Sequence, residues 1–410
     1  MNKNRNDMRP SVASVRPESL QDNDCRPYNL PARSTLYFLK PIGVGTGTVE
    51  SVTSYVVRIA WQHRISLTCL LEQVIGPRTD KTFIINGGAR ILSAAFRGYH
   101  RSINGTGETA ASWVGYLQAL TLRTDLSHLT LRTFREVLAQ KELLRSYKAW
   151  CPQCYDNQLQ TLGTFYDPLL WIIDAVKVCH LHECPLVYVC PTCNRKLCHL
   201  SRRYRLGHCH RCQTSLTVLK SRQRKLSANK NTWQMWVANN VADLLASGSD
   251  NRMVPARETL RATAQTILDY CFKGNQTEFA RAVNKHKTTV WGWCQSDTRI
   301  GLNDVLNICY CLNIKPSAFL SGVLIRNPQL KTVTLRSSFV KRTGRVERRV
   351  FDPTKTEKRL QRQLGAQESP SMQQVAIRLD LNKRFLYKHF PGLCRSIAAK
   401  HSAQHLNTLH

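Results

Sequence analysis

Between Cys151 and Cys212 the chain carries four pairs of soft ligands at knuckle spacing: Cys151-x2-Cys154, Cys179-x2-His182, Cys190-x2-Cys193 and Cys209-x2-Cys212. Zinc takes four thiolate or imidazole ligands in a tetrahedron, and a Cys-x2-Cys turn sets two sulfurs on one side of it. Eight ligands suffice for two closed sites. Taken in order, the first four enclose residues 155–178 and the last four enclose residues 194–208. Spacing alone leaves a cross-braced pairing, first pair with third, open. Cys184, Cys198, His180, His199, His208 and His210 are spare donors that leave single assignments open. A site saturated by protein ligands keeps no position for water, so two structural Zn2+ ions are expected. Redox use is disfavoured, because no βαβ pattern surrounds the Cys-x2-Cys pairs.

Nine of the 16 cysteines fall in this stretch, and no apolar export segment precedes it. Metal binding in a reducing cytosol is therefore the expectation, rather than disulfides. The chain has 410 residues, which suggests two to four domains by the usual size of about 100–200 residues each. Hydrophobic residues make up 42% and no run is long and apolar enough to cross a bilayer, so no membrane partner is expected. The net charge of +32 exceeds what solubility asks for and points to an anionic partner, with nucleic acid the first candidate.

Read in order, the chain opens on a polar stretch, residues 1–34, expected to be a disordered tail. The glycines of Lys40 to Gly47 lack the Lys-Ser/Thr of a phosphate loop. Residues 35–148 read as a helical domain. Val52, Tyr55, Val56, Ile59 and Ala60 recur with helical period, and Ser66 reads as the N-cap of a second helix through Leu67, Leu70, Leu71 and Val74. This pair could be a further helix-turn-helix or simply core. Further helices are expected at Ala111–Leu120 and at Thr130–Leu144, the latter capped by Thr130. The double zinc module spans 149–220. No Asp or Glu occurs between Cys184 and Ala242, against eleven Lys or Arg, which suits phosphate contact. An amphipathic helix follows at Trp233–Leu245. Residues 323–364 read as a basic extended linker or hairpin, with Lys331 to Arg362 carrying eleven Lys or Arg and three acids.

Two helix-turn-helix units are expected. In the helical domain 221–322, residues Gln276–Val283 precede a turn at Asn284-Lys285-His286 and a second helix from Lys287. Ala280 lets the helices cross closely, and Phe279, Val283, Val290 and Trp293 face inward. That leaves Lys287, Thr288 and Trp291 outside, where base edges would lie. The following residues Leu302, Val305, Leu306, Cys309 and Leu312 complete a Cro-like bundle. The second unit occupies 365–410, with Val375, Leu381 and Leu386 packing and Lys383, Arg384, Lys388 and His389 projecting before Pro391. Catalysis finds little support: 27 scattered acids offer no carboxylate cluster for two-metal chemistry, and no enzyme is expected.

The runs Ala149-Trp150-Cys151-Pro152-Gln153-Cys154-Tyr155, Asp167-Pro168-Leu169-Leu170-Trp171, Val178-Cys179-His180-Leu181-His182 and Cys190-Pro191-Thr192-Cys193, together with the opening helix from Glu50 to Ala60, resemble the TniQ/TnsD family of transposon target-site selection proteins. The resemblance covers residues 30–220, and Leu386-Tyr387-Lys388-His389-Phe390-Pro391 resembles the longer, TnsD-like members. It implies a non-enzymatic protein of the bacterial cytoplasm and nucleoid. Such a protein marks an insertion site on double-stranded DNA and recruits a TnsC-like ATPase, either by reading DNA directly or by riding on a CRISPR effector complex with its crRNA. A homodimer stays open. The competing expectation is a zinc-containing helix-turn-helix transcriptional regulator, or an RNA-binding protein, with no transposition role. The fold class expected throughout is mainly α and multidomain.

Overall fold

The computed structural model describes residues 33–78, 102–201, 203–217, 228–249, 255–323, 352–365, 370–379 and 381–407. Residues 1–32 of the tail, the hairpin expected near residues 331–351, and residues 202 and 218–227 of the acid-free run lie outside them. The described residues are mainly helical, with only isolated β-bridges between extended segments. They fall into two compact units, one within residues 1–342 and one within 343–410.

The first unit is built around α1 (Val52–Gln62). Ser51 caps it, its hydroxyl accepting from the Ser54 amide at 3.3 Å. The apolar periodicity predicts one buried stripe, yet every residue from Val52 to Ala60 is buried, Thr53, Ser54 and Arg58 included. A helix enclosed on all sides must find partners for its polar side chains. Thr53 therefore donates through its amide and its hydroxyl to Asn104 Oδ1, each at 3.2 Å. Arg58 reaches Glu50 at 2.8 Å and the Lys40 carbonyl at 3.0 Å.

Ser66 caps the short α2 (Leu67–Cys69), accepting from the Cys69 amide, and the chain continues as wider turns over Leu70–Ile75. α3 (Glu108–Thr121) packs against the short 3-10 turns Ser102–Asn104 and Leu126–Leu129. The helix expected over Thr130–Leu144 does not form. Thr130 is extended and its hydroxyl donates to the Ser127 carbonyl at 2.8 Å. Only a single 3-10 turn, Arg132–Phe134, is helical there. Leu129, Leu131, Phe134, Val137, Leu138 and Leu143 are all buried, a spread that no single helix face provides. The backbone is spent instead on tertiary pairing: Ile300 donates to Val137 and Ala139 donates to Ile300, both at 2.9 Å.

After α4 (Pro152–Leu162) and the metal-ligand segment comes α5 (Ala228–Ser247), which buries Trp233, Val237, Val241 and Leu244. Gly47 lies so close to it that a Cβ there would sit 2.6 Å from that of Ala242. α6 (Arg257–Phe272), α7 (Gln276–Ala282), α8 (Lys287–Gln295), α9 (Leu302–Leu312) and α10 (Pro316–Ser321) complete the unit. Its buried residues form one continuous cluster from Leu36 to Leu320, so the boundaries expected near residues 148 and 220 are not gaps between separate cores.

The second unit holds α11 (Pro353–Gly365), α12 (Met372–Leu379), α13 (Lys383–His389) and α14 (Pro391–Asn407). The C-terminal part of the stretch read as extended is thus a helix, because the spacing of Thr356 and Leu360 buries one side while Lys358, Arg359 and Arg362 stay exposed. Its core is eight buried residues, Leu386 among them with no exposure. Leu386→Ala is expected to destabilise this unit by about 2–5 kcal/mol. In a denaturant melt of the full chain the transition of the second unit should move while that of the first stays in place.

Candidate metal centres and nucleic-acid interface

Four ligand atoms from Cys151, Cys154, Cys179 and His182 lie within 4.8 Å of one another, and so do four from Cys190, Cys193, Cys209 and Cys212. The pairing is sequential rather than cross-braced. Each set is a donor constellation that could hold one metal ion, and its chemistry, three thiols with an imidazole or four thiols, suits a soft tetrahedral ion.

Local structure positions the ligands. Cys151 is the N-cap residue of α4, with Pro152 at the first helical position, so Cys154 returns to the same side one turn later. The amides of the other knuckles close tight turns: Asn194 donates to Cys190 at 3.0 Å and Gln213 to Cys209 at 2.9 Å. Asn194 and Gln213 both take positive φ, as does Glu183 after His182. His182 turns Nδ1 toward the sulfurs of Cys154, Cys151 and Cys179, at 3.2, 3.5 and 3.5 Å. Its Nε2 lies 3.0 Å from the side-chain amide of Asn157, one turn along α4 from Cys154. Such outer partners set the tautomer and the orientation of a metal-ligating histidine. Nothing in the spacing of the ligands marks Asn157 beforehand.

The spare donors are engaged elsewhere or stand beside the clusters. Cys184 Sγ is 3.6 Å from Cys151 Sγ but outside the set of four. His199 sits 3.3 Å from the Arg145 carbonyl, and His208 sits 3.0 Å from that of Leu206. His210 stacks on Tyr204, and burial holds its imidazole down at about 4, well below the usual range.

Behind the first cluster lies a polar network that sequence reading missed. Asp167 accepts from Lys148 at 2.6 Å, from Tyr204 at 2.7 Å and from Tyr155. Its amide donates to Ser54 Oγ, and that hydroxyl donates in turn to Glu50 at 2.8 Å. Burial pushes the Asp167 carboxyl upward, but Lys148 and the two phenols outweigh it and hold the group below the usual carboxylate range. Burial alone pushes Lys148 down, against the pull of Asp167. Glu50, wholly enclosed, is pushed up to about 7 by burial against the pull of Arg58. The network joins α1, α4 and the segment between the ligand pairs of the second cluster.

The residues expected at DNA fall on two helix-turn-helix units. In the first, Asn275 caps α7 by accepting from the Thr277 and Glu278 amides, both at 3.1 Å. Asn284 turns the chain at φ 57°, and Asn307 donates to the Val283 carbonyl at 2.7 Å. Phe279, Ala280, Val283, Val290 and Trp293 are buried, while Lys287, Thr288 and Trp291 are exposed. In the second, Ser371 and Gln374 form a capping box, each side chain accepting from the other's amide, at 3.3 and 2.9 Å. Asn382 caps α13 by accepting from the Arg384 amide at 2.8 Å. Lys383, Arg384, Lys388 and His389 are all exposed on α13.

Asp167→Ala leaves the Lys148 ammonium buried and unpaired, and is expected to cost about 3–5 kcal/mol in a denaturant titration. Replacing both, as Asp167→Leu with Lys148→Met, should recover part of that loss. Cys151→Ser and Cys190→Ser are each expected to collapse the first unit in thermal melts, as a chelator should, because structural metal contributes folding free energy outright. An unchanged melting temperature would count against metal at that cluster. No curated protein sequence matches the chain. The TniQ family model matches residues 41–186, from the Lys40–Gly47 turn to the end of the first metal cluster. Over those residues, about a third of its length, the chain is similar to the TniQ family.

Proposed function

We propose that the chain is a DNA-binding target-site selector for a transposon, which marks an insertion site and recruits the transposition ATPase. One observation carries the reading: the TniQ match over residues 41–186 and the first helix-turn-helix unit share one continuous core. A family domain tied to transposition is thereby welded to a unit whose exposed face, Lys287, Thr288 and Trp291, has the docking pattern of a major-groove reader. The second unit adds Lys383, Arg384, Lys388 and His389, a basic face suited to phosphates and guanines.

In this reading each cluster holds one Zn2+. Cys151, Cys154, Cys179 and His182 take the first and Cys190, Cys193, Cys209 and Cys212 the second. The ions supply folding free energy and fix the joint, and the protein performs no chemistry of its own. The TnsC-like ATPase falls to the TniQ domain and double-stranded DNA to the helix-turn-helix faces. Direct reading is favoured over targeting through a CRISPR effector complex, because a purely guided adaptor would not need a second reading head. The compartment is the bacterial cytoplasm, at the nucleoid. Among the described residues no helix is long and apolar enough to cross a membrane.

Footprinting of the full chain on DNA flanking its element tests the proposal, and a protected, sequence-specific site is the expected result. Sequence-independent binding restored to specificity only by a crRNA–Cas complex would overturn direct reading. Lys383→Ala with Arg384→Ala is expected to weaken binding and to make the slope of log K against log salt shallower by about 2, one for each phosphate contact removed.

A further inference from the structure

The recognition helix of the first unit carries a side chain that the fold does not use. α8 buries Val290, Trp293 and Cys294 against its neighbours. Trp291, the fifth of its nine residues, is 52% exposed, and no ring contact or ion pair engages it among the described residues. Keeping a tryptophan in water forfeits the burial that makes aromatic side chains useful to a core, so its presence there calls for an external contact.

The next residue makes the same point independently. Gly292 lies mid-helix with ordinary helical φ. A Cβ there would meet only Thr298 Oγ1 at 3.6 Å and Ser296 Oγ at 3.7 Å, both ordinary contacts. Alanine would fit and would favour the helix, since glycine mid-helix is among the poorest helix formers. The fold therefore does not ask for glycine at this position. Gly292 shares its face with Thr288 and Gln295 by helical spacing, so it opens a notch in the exposed surface beside the indole.

Flat and apolar, the indole on a helix laid in the major groove meets one apolar feature among base edges, the 5-methyl group of thymine. We infer that α8 reads a thymine. Trp291 packs against its 5-methyl group, and the notch at Gly292 lets the base edge come close to the helix backbone. Lys287 and Thr288, one turn earlier, supply the polar contacts that set the register. The inference rests on the DNA-binding reading of this unit and adds what base the unit selects.

The test uses the full, zinc-loaded chain. Selection from a random duplex library yields its preferred site, and that duplex is the probe. Each thymine is then replaced in turn by deoxyuridine, which removes the methyl group and nothing else. At one or two positions the replacement is expected to weaken binding about fourfold, the worth of one buried methyl group. That loss should vanish in Trp291→Ala, whose exposed site tolerates truncation. Gly292→Ala should keep or raise the melting temperature while weakening binding to the selected duplex. A selected duplex indifferent to every deoxyuridine, or a loss that persists in Trp291→Ala, overturns the inference and leaves DNA binding standing. Full DNA affinity in Trp291→Ala assigns this face to a protein contact and overturns it as well. Failure to select any sequence removes the parent reading, and this one with it.

Discussion

Asp167 is the point on which the first unit depends. It accepts from Lys148, Tyr155 and Tyr204 and, through its own amide and Ser54, is linked to Glu50 and Arg58. Each of these groups would be costly to bury alone, because a desolvated charge or hydroxyl without a partner has lost its water and gained nothing. Together they are satisfied, and satisfaction requires that α1, α4 and the second metal segment be present in one arrangement. Apolar packing tolerates small slips between helices, whereas a hub of short directional bonds does not. The knuckle turns gather the candidate ligands locally, and the Asp167 hub ties those loops to the opening helix.

A second constraint ties the first helix-turn-helix unit to this frame. The pairing of Val137 and Ala139 with Ile300 inserts the strand-like segment after α8 into the TniQ domain. Trp233 and Trp236, stacked at 5.5 Å, both meet the ring of Tyr310 on α9. Gly47 against Ala242 brings the N-terminal turn onto α5 with no side chain between them. α8 is therefore carried as part of the body rather than as a bead on a linker. The second unit has a core of its own.

Much of this was legible in the sequence, for identifiable reasons. Ligand identity and spacing name the residues of both metal clusters because a knuckle turn is short and its geometry local. The cap at Ser66 announces its helix start by the same local logic, whereas Thr130, read in the same way, starts no helix. What the sequence hid is long-range. Nothing near Lys148 in the chain says that it will meet an aspartate at residue 167 and a phenol at 204. Thr130–Leu144 has helical composition but surrenders its backbone to a partner at Ile300, and a window of fifteen residues holds no trace of that partner. Composition changes at residues 148 and 220, yet the apolar residues on either side pack into one core.

The position of Tyr204 has a consequence for how the chain comes into being. It lies between the two ligand pairs of the second metal cluster, yet its phenol completes the shell of an aspartate that supports the opening helix. During synthesis Asp167 emerges before Tyr204, and its carboxylate lacks that donor until the later segment has been made. The shell of the carboxylate that supports the opening helix is thus closed by a residue 150 positions downstream of Ser54.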